Sequence, residues 1–261
     1  MLLSIDIGNS VVKFAVYDLP CLEAITGFRI AAIPVRSADE YRLLIGQFLS
    51  EKNLDDKIEA AVISSVVPSL TAPIYSAAQD ISGAKPFMIG SGTHTGFRIS
   101  IDIHSQLGAD IVSNVAAAKL ALAPPMVIVD LGTATTLAAV DAGGDLVGAI
   151  IHPGLQISLD ALSRSAALLS DVPLIKPNAI IGQNSTASIQ SGLIYGHIAM
   201  IDGLLDQLAE TLCKSGNSLS IVATGGHAEA VIPYCKHSME IVPDLTVRGA
   251  ASLFMLNRKN R

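Results

Sequence analysis

The chain has no tryptophan, 4% aromatic residues, 15% charged residues and three cysteines among 261 positions. Cys21, Cys213 and Cys235 are scattered and form no Cys-x-x-Cys pair, so neither a disulfide framework nor a zinc ribbon is expected and the protein reads as reduced and cytoplasmic. Basic residues are outnumbered, 17 against 23, which leaves a net charge of -6 and no electrostatic footprint for nucleic acid. No apolar run approaches the length that crosses a bilayer, and the first residues carry Asp6 without a basic stretch, so neither a membrane partner nor a signal peptide is expected. The common nucleotide and nucleophile signatures are missing too: there is no Gly-x-x-x-x-Gly-Lys-[Ser/Thr], no Gly-x-Gly-x-x-Gly after a strand and no Gly-x-Ser-x-Gly. His94, His104, His152, His197, His227 and His237 show no metal-ligand spacing and read as surface or loop residues.

What is present is apolar sequence, 50% of the chain, and a phrase written twice. Leu2-Leu3-Ser4-Ile5-Asp6-Ile7-Gly8-Asn9-Ser10 and Val127-Ile128-Val129-Asp130-Leu131-Gly132-Thr133-Ala134-Thr135 are both apolar runs closing on Asp-x-Gly and small polar residues. Such runs without helical spacing are buried strands, and the Asp-x-Gly marks a hairpin whose backbone can approach a ligand closely. Two such loops half a chain apart predict a duplicated fold that grips a nucleotide with both halves.

The coarse pattern alternates. Val11 to Asp18 continues the first hairpin, Ala38 to Lys52 has helical spacing, Ala60 to Val67 is a buried strand, and Pro68 opens a helix near Ser69. Phe87 to Gly90 is a short strand, and Gly108 to Ala123 is a helix stopped by Pro124-Pro125. The boundary between domains is expected there, giving 1–118 and 119–261. In the second half, Met126 to Val129, Thr136 to Val140 and Leu146 to Ile151 are strands, Leu155 to Leu169 and Ser185 to Cys213 are helices, and Leu219 to Ala223 is a strand ending in Thr224-Gly225-Gly226. Ser188, Gly192 and Gly196 lie four apart on the long helix and suit close helix contact, inside one chain or between two.

Asp6 with Gly8, Asn9, Ser10 and Lys13 reads as a phosphate and Mg²⁺ grip: loop amides and hydroxyl for phosphoryl oxygens, a lysine point charge, a carboxylate for the metal. Asp130, Thr133, Thr135 and Thr136 offer oxygens but no cation of their own, so a bound metal or monovalent ion is expected beside Asp130. Gly225 and Gly226 let a flat group lie against the backbone. Asp110, near a helix start, is a candidate proton acceptor, and that setting is expected to lower its pKa.

Asp6-Ile-Gly-Asn-Ser with Lys13, Ser64-Ser-Val-Val-Pro68, Gly108-Ala-Asp110, Asp130-Leu-Gly-Thr-Ala-Thr-Thr136, Gly148-Ala-Ile-Ile-His-Pro-Gly154, Ile181-Gly-Gln-Asn-Ser185, Gln190-Ser-Gly192 and Ala223-Thr-Gly-Gly226 resemble, in order and spacing, the motifs of type III pantothenate kinases. The resemblance runs on to Pro243-Asp-Leu-Thr246. It implies an α/β fold of two ribonuclease H-like domains, mixed sheets flanked by helices, of the acetate kinase, heat-shock chaperone and actin superfamily. It also implies a cytosolic homodimer that phosphorylates pantothenate with ATP, Mg²⁺ and a monovalent cation (K⁺ or NH₄⁺). By motif, Asp6 through Lys13 would bind ATP phosphates and Mg²⁺, Asp130 the monovalent cation and Thr133 ATP. Asp110 would accept the proton, while Ile101, Gly108, Ala109, Asp110, Ile111 and Ser185 would bind pantothenate.

The chain departs from that pattern mostly in the acceptor half. Ile111 follows the catalytic Asp where the family usually has Arg, Ile101-Asp102-Ile103-His104 replaces a Tyr-x-Asn-Pro-like segment, and Ser185 replaces Thr. Ala149 and His152 stand where Gly and a small residue are usual. Three readings are therefore carried: a pantothenate kinase, a kinase of the same superfamily with another small hydroxyl acceptor, and a non-catalytic accessory homologue.

Overall fold

In the computed structural model, which describes residues 1–19, 21–102, 107–165, 172–213 and 218–258, the run before the first Asp-x-Gly is a fully buried strand, β1 (Leu2–Ile7). β2 (Val11–Tyr17) and β3 (Ala24–Ala31) follow it as an antiparallel meander. α1 (Ala38–Glu51), opened by a Ser37/Glu40 capping box, leads to β4 (Ala60–Ser65), which lies parallel to β1. α2 (Pro68–Ser82), begun by a proline whose missing N–H costs nothing there, leads to the parallel β5 (Phe87–Met88). The sheet order is β3-β2-β1-β4-β5.

The second sheet repeats this plan. α3 (Ala109–Ala118) intervenes, and then β6 (Met126–Leu131), β7 (Ala134–Val140) and β8 (Leu146–Pro153) form the meander. α4 (Leu155–Ser165) and the 28-residue α5 (Ser185–Leu212) precede β9 (Ser220–Thr224), parallel to β6. α6 (Ala228–Val231), a 3-10 turn at Ile232–Tyr234 and β10 (Glu240–Ile241) complete the order β10-β9-β6-β7-β8, and α7 (Leu245–Arg258) closes the chain. Two mixed sheets with helices on them are the α/β architecture expected.

Side-chain alternation gives the first sheet two faces. Leu3, Ile5 and Ile7 join Phe14, Ile63 and the α1 and α2 residues Tyr41, Ile45, Leu70 and Ile74 in one core. Ser4 and Asp6 point the other way, toward α7, where Ser4 Oγ donates to the Val247 carbonyl at 2.7 Å. On that face α3 and α7 approach so closely that a Cβ on Gly249 would lie 1.7 Å from the Ser113 carbonyl oxygen. The second sheet has its own core of Val127, Val129, Leu137, Leu155, Ile194, Ile198, Ile201 and Leu205.

The chain therefore divides differently from the expected 118/119 boundary. One unit is Met1–Phe97 with Asp102–Ala121 and Asp244–Arg261, and the other is Arg98–Ile101 with Leu122–Pro243. α7 returns to the first unit because its apolar side, including Leu245, Val247, Ala250 and Leu253, is buried there. α3 stops at Ala118, five residues short of the expected Ala123, its end wound into turns by Leu120 N–H to Ala117 and Ala121 N–H to Ala118. The expected end of the Leu155 helix, at 166–169, lies outside the described residues. β3, α6, β10 and α7 had no counterpart in the sequence reading.

Gly249→Ala should lower the unfolding midpoint in chemical denaturation, by about 1–3 kcal/mol of overpacking. Gly46→Ala, within α1 and with nothing within 4 Å of the added Cβ, should instead raise it by up to about 1 kcal/mol through helix propensity.

Candidate functional site

The first unit carries its candidate residues at the end of β1. Asp6 is 8% exposed, and the antiparallel register sets Lys13 of β2 directly opposite it while the parallel register sets Ser64 of β4 on its other side. Residues paired in this way point to the same face, so Lys13, Asp6 and Ser64 form one row across three strands. Arg29 of β3 extends the row and is held by Asp244 at 2.8 Å. Beyond Asp6 the chain turns through Gly8-Asn9-Ser10, with the Gly8 N–H donating to the Val11 carbonyl at 3.1 Å. A Cβ on Gly8 would lie 3.0 Å from that same oxygen, so glycine keeps the turn tight, with Asn9 and Ser10 exposed at its tip.

Asp110 is the second residue of α3. Its Oδ1 accepts the Ile111 N–H at 2.8 Å, folding the carboxylate back over the helix start. A Cβ on Gly108 would lie 2.2 Å from that Oδ1, so a larger residue there would displace the carboxylate from this position, and 3.5 Å from Val66, which sets the helix start against the end of β4. The expected lowering of the Asp110 pKa is not found. Desolvation by burial pushes it above the usual carboxylate range and outweighs the opposing backbone N–H donors. The side chain of Ile111 is buried at 7% exposure, and its contribution to Asp110 is the backbone N–H.

The second unit repeats the row with different chemistry. Thr136 of β7 and Thr224 of β9 flank Asp130 where Lys13 and Ser64 flank Asp6. The loop after Asp130 is gripped by two glycine turns. A Cβ on Gly154 would lie 2.3 Å from the Thr133 carbonyl oxygen, and the Gly154 N–H donates to it at 3.1 Å. Gly225, with φ +102°, would bring a Cβ to 2.5 Å from the Leu131 backbone, and the His227 N–H donates to the Leu131 carbonyl at 3.1 Å. Gly225 is thus spent on holding the loop, whereas a Cβ on Gly226 would meet nothing within 4 Å, which leaves its backbone open. Ser185 is exposed at the first turn of α5, which Asn184 caps by accepting the Ala187 N–H at 2.8 Å. Ile101 also belongs to the second unit, on a segment joined to β8 through Ser100 N–H and the Leu146 carbonyl at 2.8 Å. Ile103 and His104 of the same expected segment lie outside the described residues.

Three buried hydroxyls near these loops, Ser64 Oγ, Thr135 Oγ1 and Thr224 Oγ1, have no hydrogen-bond partner among the described residues. The sequence reading gave Ser64 and Thr224 no role; their motifs were visible, but the strand register that sets them beside Asp6 and Asp130 was not. No group of three metal-ligating side chains occurs among the described residues. His197, however, is not a surface or loop residue. It is 4% exposed on α5, its Nδ1 lies 3.1 Å from the Leu193 carbonyl, its ring meets that of His152 edge-on at 5.3 Å, and burial holds its pKa below the usual range.

The family model described as type III pantothenate kinase matches residues 2–207. The type III pantothenate kinase of Rhodospirillum centenum is 36% identical over 263 aligned residues, covering 100% of this chain and 99% of that protein. Among solved structures, one described as a Baf family transcriptional activator from Campylobacter jejuni superposes with a TM-score of 0.59 at 19% identity, covering 98% of this chain and 99% of that one. A propionate kinase from Francisella tularensis does so with a TM-score of 0.53 at 12% identity, covering 96% and 98%. These two similarities, at 19% and 12% identity, speak for the fold alone.

The raised Asp110 pKa has a consequence for stability. Between the unfolded and the raised folded value the native state binds more protons, so stability falls as pH rises through that window and the cost of the buried charge is complete above it. Asp110→Asn, which keeps an acceptor for the Ile111 N–H, should therefore melt above the wild type at neutral pH. The advantage should shrink below the ordinary carboxylate range in thermal scans across pH.

Proposed function

The chain belongs to the type III pantothenate kinase family, and from that footing we propose that it transfers the γ-phosphoryl group of ATP to the terminal hydroxyl of pantothenate with Asp110 as the proton acceptor. The product is 4'-phosphopantothenate, the first intermediate on the way to coenzyme A. The observation that carries the assignment is the Asp110 carboxylate, folded over the start of α3 beside Gly108, with its pKa raised by burial above the ordinary carboxylate range. A base is most effective when its pKa approaches the ambient pH while it stays ionised. Its Oδ atoms take the proton of the acceptor hydroxyl as that oxygen bonds to the γ-phosphorus and the bond from phosphorus to the β,γ-bridging oxygen breaks, releasing ADP.

The loop Gly8-Asn9-Ser10 and Lys13 bind the phosphates in this reading, through the exposed Asn9 and Ser10 at the tip and an ammonium for the anionic oxygens. Asp6 fits a divalent cation: it is a buried carboxylate beside the buried Ser64 hydroxyl, which has no hydrogen-bond partner among the described residues. Asp6 would hold Mg²⁺ there, which would supply positive charge to offset the phosphates. Asp130 fits a monovalent cation, K⁺ or NH₄⁺, on the same ground, since Thr224 Oγ1 is its unsatisfied neighbour and Thr136 supplies oxygen where Lys13 supplies charge. Thr133 and the open Gly226 contact the nucleotide, with Gly225 holding the loop to which Thr133 belongs. Gly108, Ala109 and Ile111 shape the acceptor site around Asp110, and Ile101 and the Ser185 hydroxyl contribute to pantothenate binding. The two catalytic regions correspond to N-terminal and C-terminal ribonuclease H-like domains.

The same reading makes the protein a cytoplasmic homodimer without nucleic acid or membrane partners. Its support is the sparse cysteine content, the net negative charge and, among the described residues, no helix long and apolar enough to cross a membrane. Gly192 and Gly196 are exposed on α5 with nothing within 4 Å of an added Cβ, and Ile180 and Ile181 stand 66% and 79% exposed just before that helix. A second copy of α5 laid on this stripe would cover them.

ADP release measured with ATP, Mg²⁺ and K⁺ should depend on pantothenate, and Asp110→Asn should lower kcat by roughly 10²- to 10⁴-fold. The acid limb of the wild-type kcat/KM profile should lie above the ordinary carboxylate range. Turnover confined to a different hydroxyl compound would overturn the acceptor, and nucleotide binding without turnover on any acceptor would overturn the kinase. Gly192→Asp should shift the sedimentation of the protein from dimer to monomer while leaving its circular dichroism unchanged; a folded dimer would remove α5 from the interface.

A further inference from the structure

Ser64 is 0% exposed, and its Oγ has no hydrogen-bond partner among the described residues. An unsatisfied buried hydroxyl is unfavourable, and one in a native fold calls for a reason. Three observations locate that reason. Ser64 pairs in register with Asp6 on the adjacent parallel strand, so the two side chains share one face. That face is the one covered by α3 and α7 rather than the apolar core of α1 and α2, since Ser4, two residues before Asp6, bonds to α7. The second sheet repeats the arrangement, with Thr224 paired to Asp130 and its Oγ1 buried and likewise without a partner. A small hydroxyl left unsatisfied beside the loop carboxylate thus occurs in both halves of a duplicated fold.

We propose that Ser64 is a positioning residue for the divalent cation: when Mg²⁺ is bound, its hydroxyl donates to the Asp6 carboxylate and fixes the orientation in which that carboxylate faces the metal. This rests on the assignment of Asp6 as the Mg²⁺ residue. Serine suits the role because Oγ can swing by a single χ1 rotation. Its sealed position keeps bulk water from the hydroxyl, and the register makes Asp6 its neighbour on the same face. Groups that hydrogen-bond a metal's carboxylate commonly affect metal affinity by about 10- to 100-fold.

The test uses the whole protein with ADP and Mn²⁺ as the probe, with free and bound Mn²⁺ read by electron paramagnetic resonance, alongside denaturation without metal or nucleotide. Ser64→Ala should weaken Mn²⁺ binding in the ADP complex by about 10-fold while leaving the metal-free midpoint at or above that of the wild type, because it removes an unsatisfied group. Ser64→Thr, which installs the residue found at the equivalent place in the second sheet, should keep wild-type affinity. Unchanged Mn²⁺ affinity in Ser64→Ala, or an affinity loss matched by a fall in metal-free stability, would overturn the proposal. Asp6→Asn separates the two assignments. If it abolishes Mn²⁺ binding while Ser64→Ala does not weaken it, only the role of Ser64 fails; if it too leaves binding unchanged, the assignment of Asp6 fails and that of Ser64 with it.

Discussion

The register of β1 between β2 and β4 is the constraint on which the rest of the first unit depends. Leu3, Ile5 and Ile7 are each 0% exposed in the core beneath α1 and α2, while Ser4 and Asp6 occupy the opposite face. A slip of one residue would exchange the two sets and drive a carboxylate into the apolar core. The apolar residues therefore do more than contribute burial. By holding the register they place Lys13 and Ser64 beside Asp6, and the row of charge and hydroxyl at the strand ends follows from the packing of the alternate residues.

The second sheet shows what duplication preserved and what it released. Strand order, parallel and antiparallel pairing, and the loop carboxylate recur, but the place of Lys13 is taken by Thr136 and that of Ser64 by Thr224. Beside its carboxylate the first row carries an ammonium and a hydroxyl, the second two hydroxyls. The last helix breaks the symmetry further. α7 packs on the face of β1 that carries Asp6, through the bond from Ser4 to Val247 and the close passage of Gly249 over Ser113. The first unit is completed by residues more than 240 positions from the strand they cover.

This long-range return explains which parts of the molecule were readable from the amino-acid order. β1, β4, β6 and β9 are apolar runs with clear stops, and α5 carries its periodicity over 28 residues, so their existence and type followed from local pattern. β3 reads Ala-Ile-Thr-Gly-Phe-Arg-Ile-Ala, half exposed and interrupted by Gly27, and has no apolar run to announce it. Gly27 is there because a Cβ would lie 2.8 Å from the Phe14 carbonyl oxygen, a cross-strand reason invisible in one strand alone. α7 is similarly masked by Gly249, which looks like a helix breaker and is a packing residue. The candidate loops were legible because their residues are contiguous; the neighbours Ser64 and Thr224 were not, because register brings them there.

The direction of the Asp110 shift was the least readable property, and it connects to the departure beside it. A helix start favours an ionised carboxylate by aligned N–H groups, and local sequence shows only that influence. Desolvation depends on what the tertiary structure places around the group, and here it prevails over the N–H donors, with no cation among the causes of the shift. At position 111 the family pattern has Arg, whose guanidinium would pull the carboxyl pKa down; this chain has Ile111, buried and apolar. Ile111 supplies no compensating charge, so desolvation alone sets the direction of the shift.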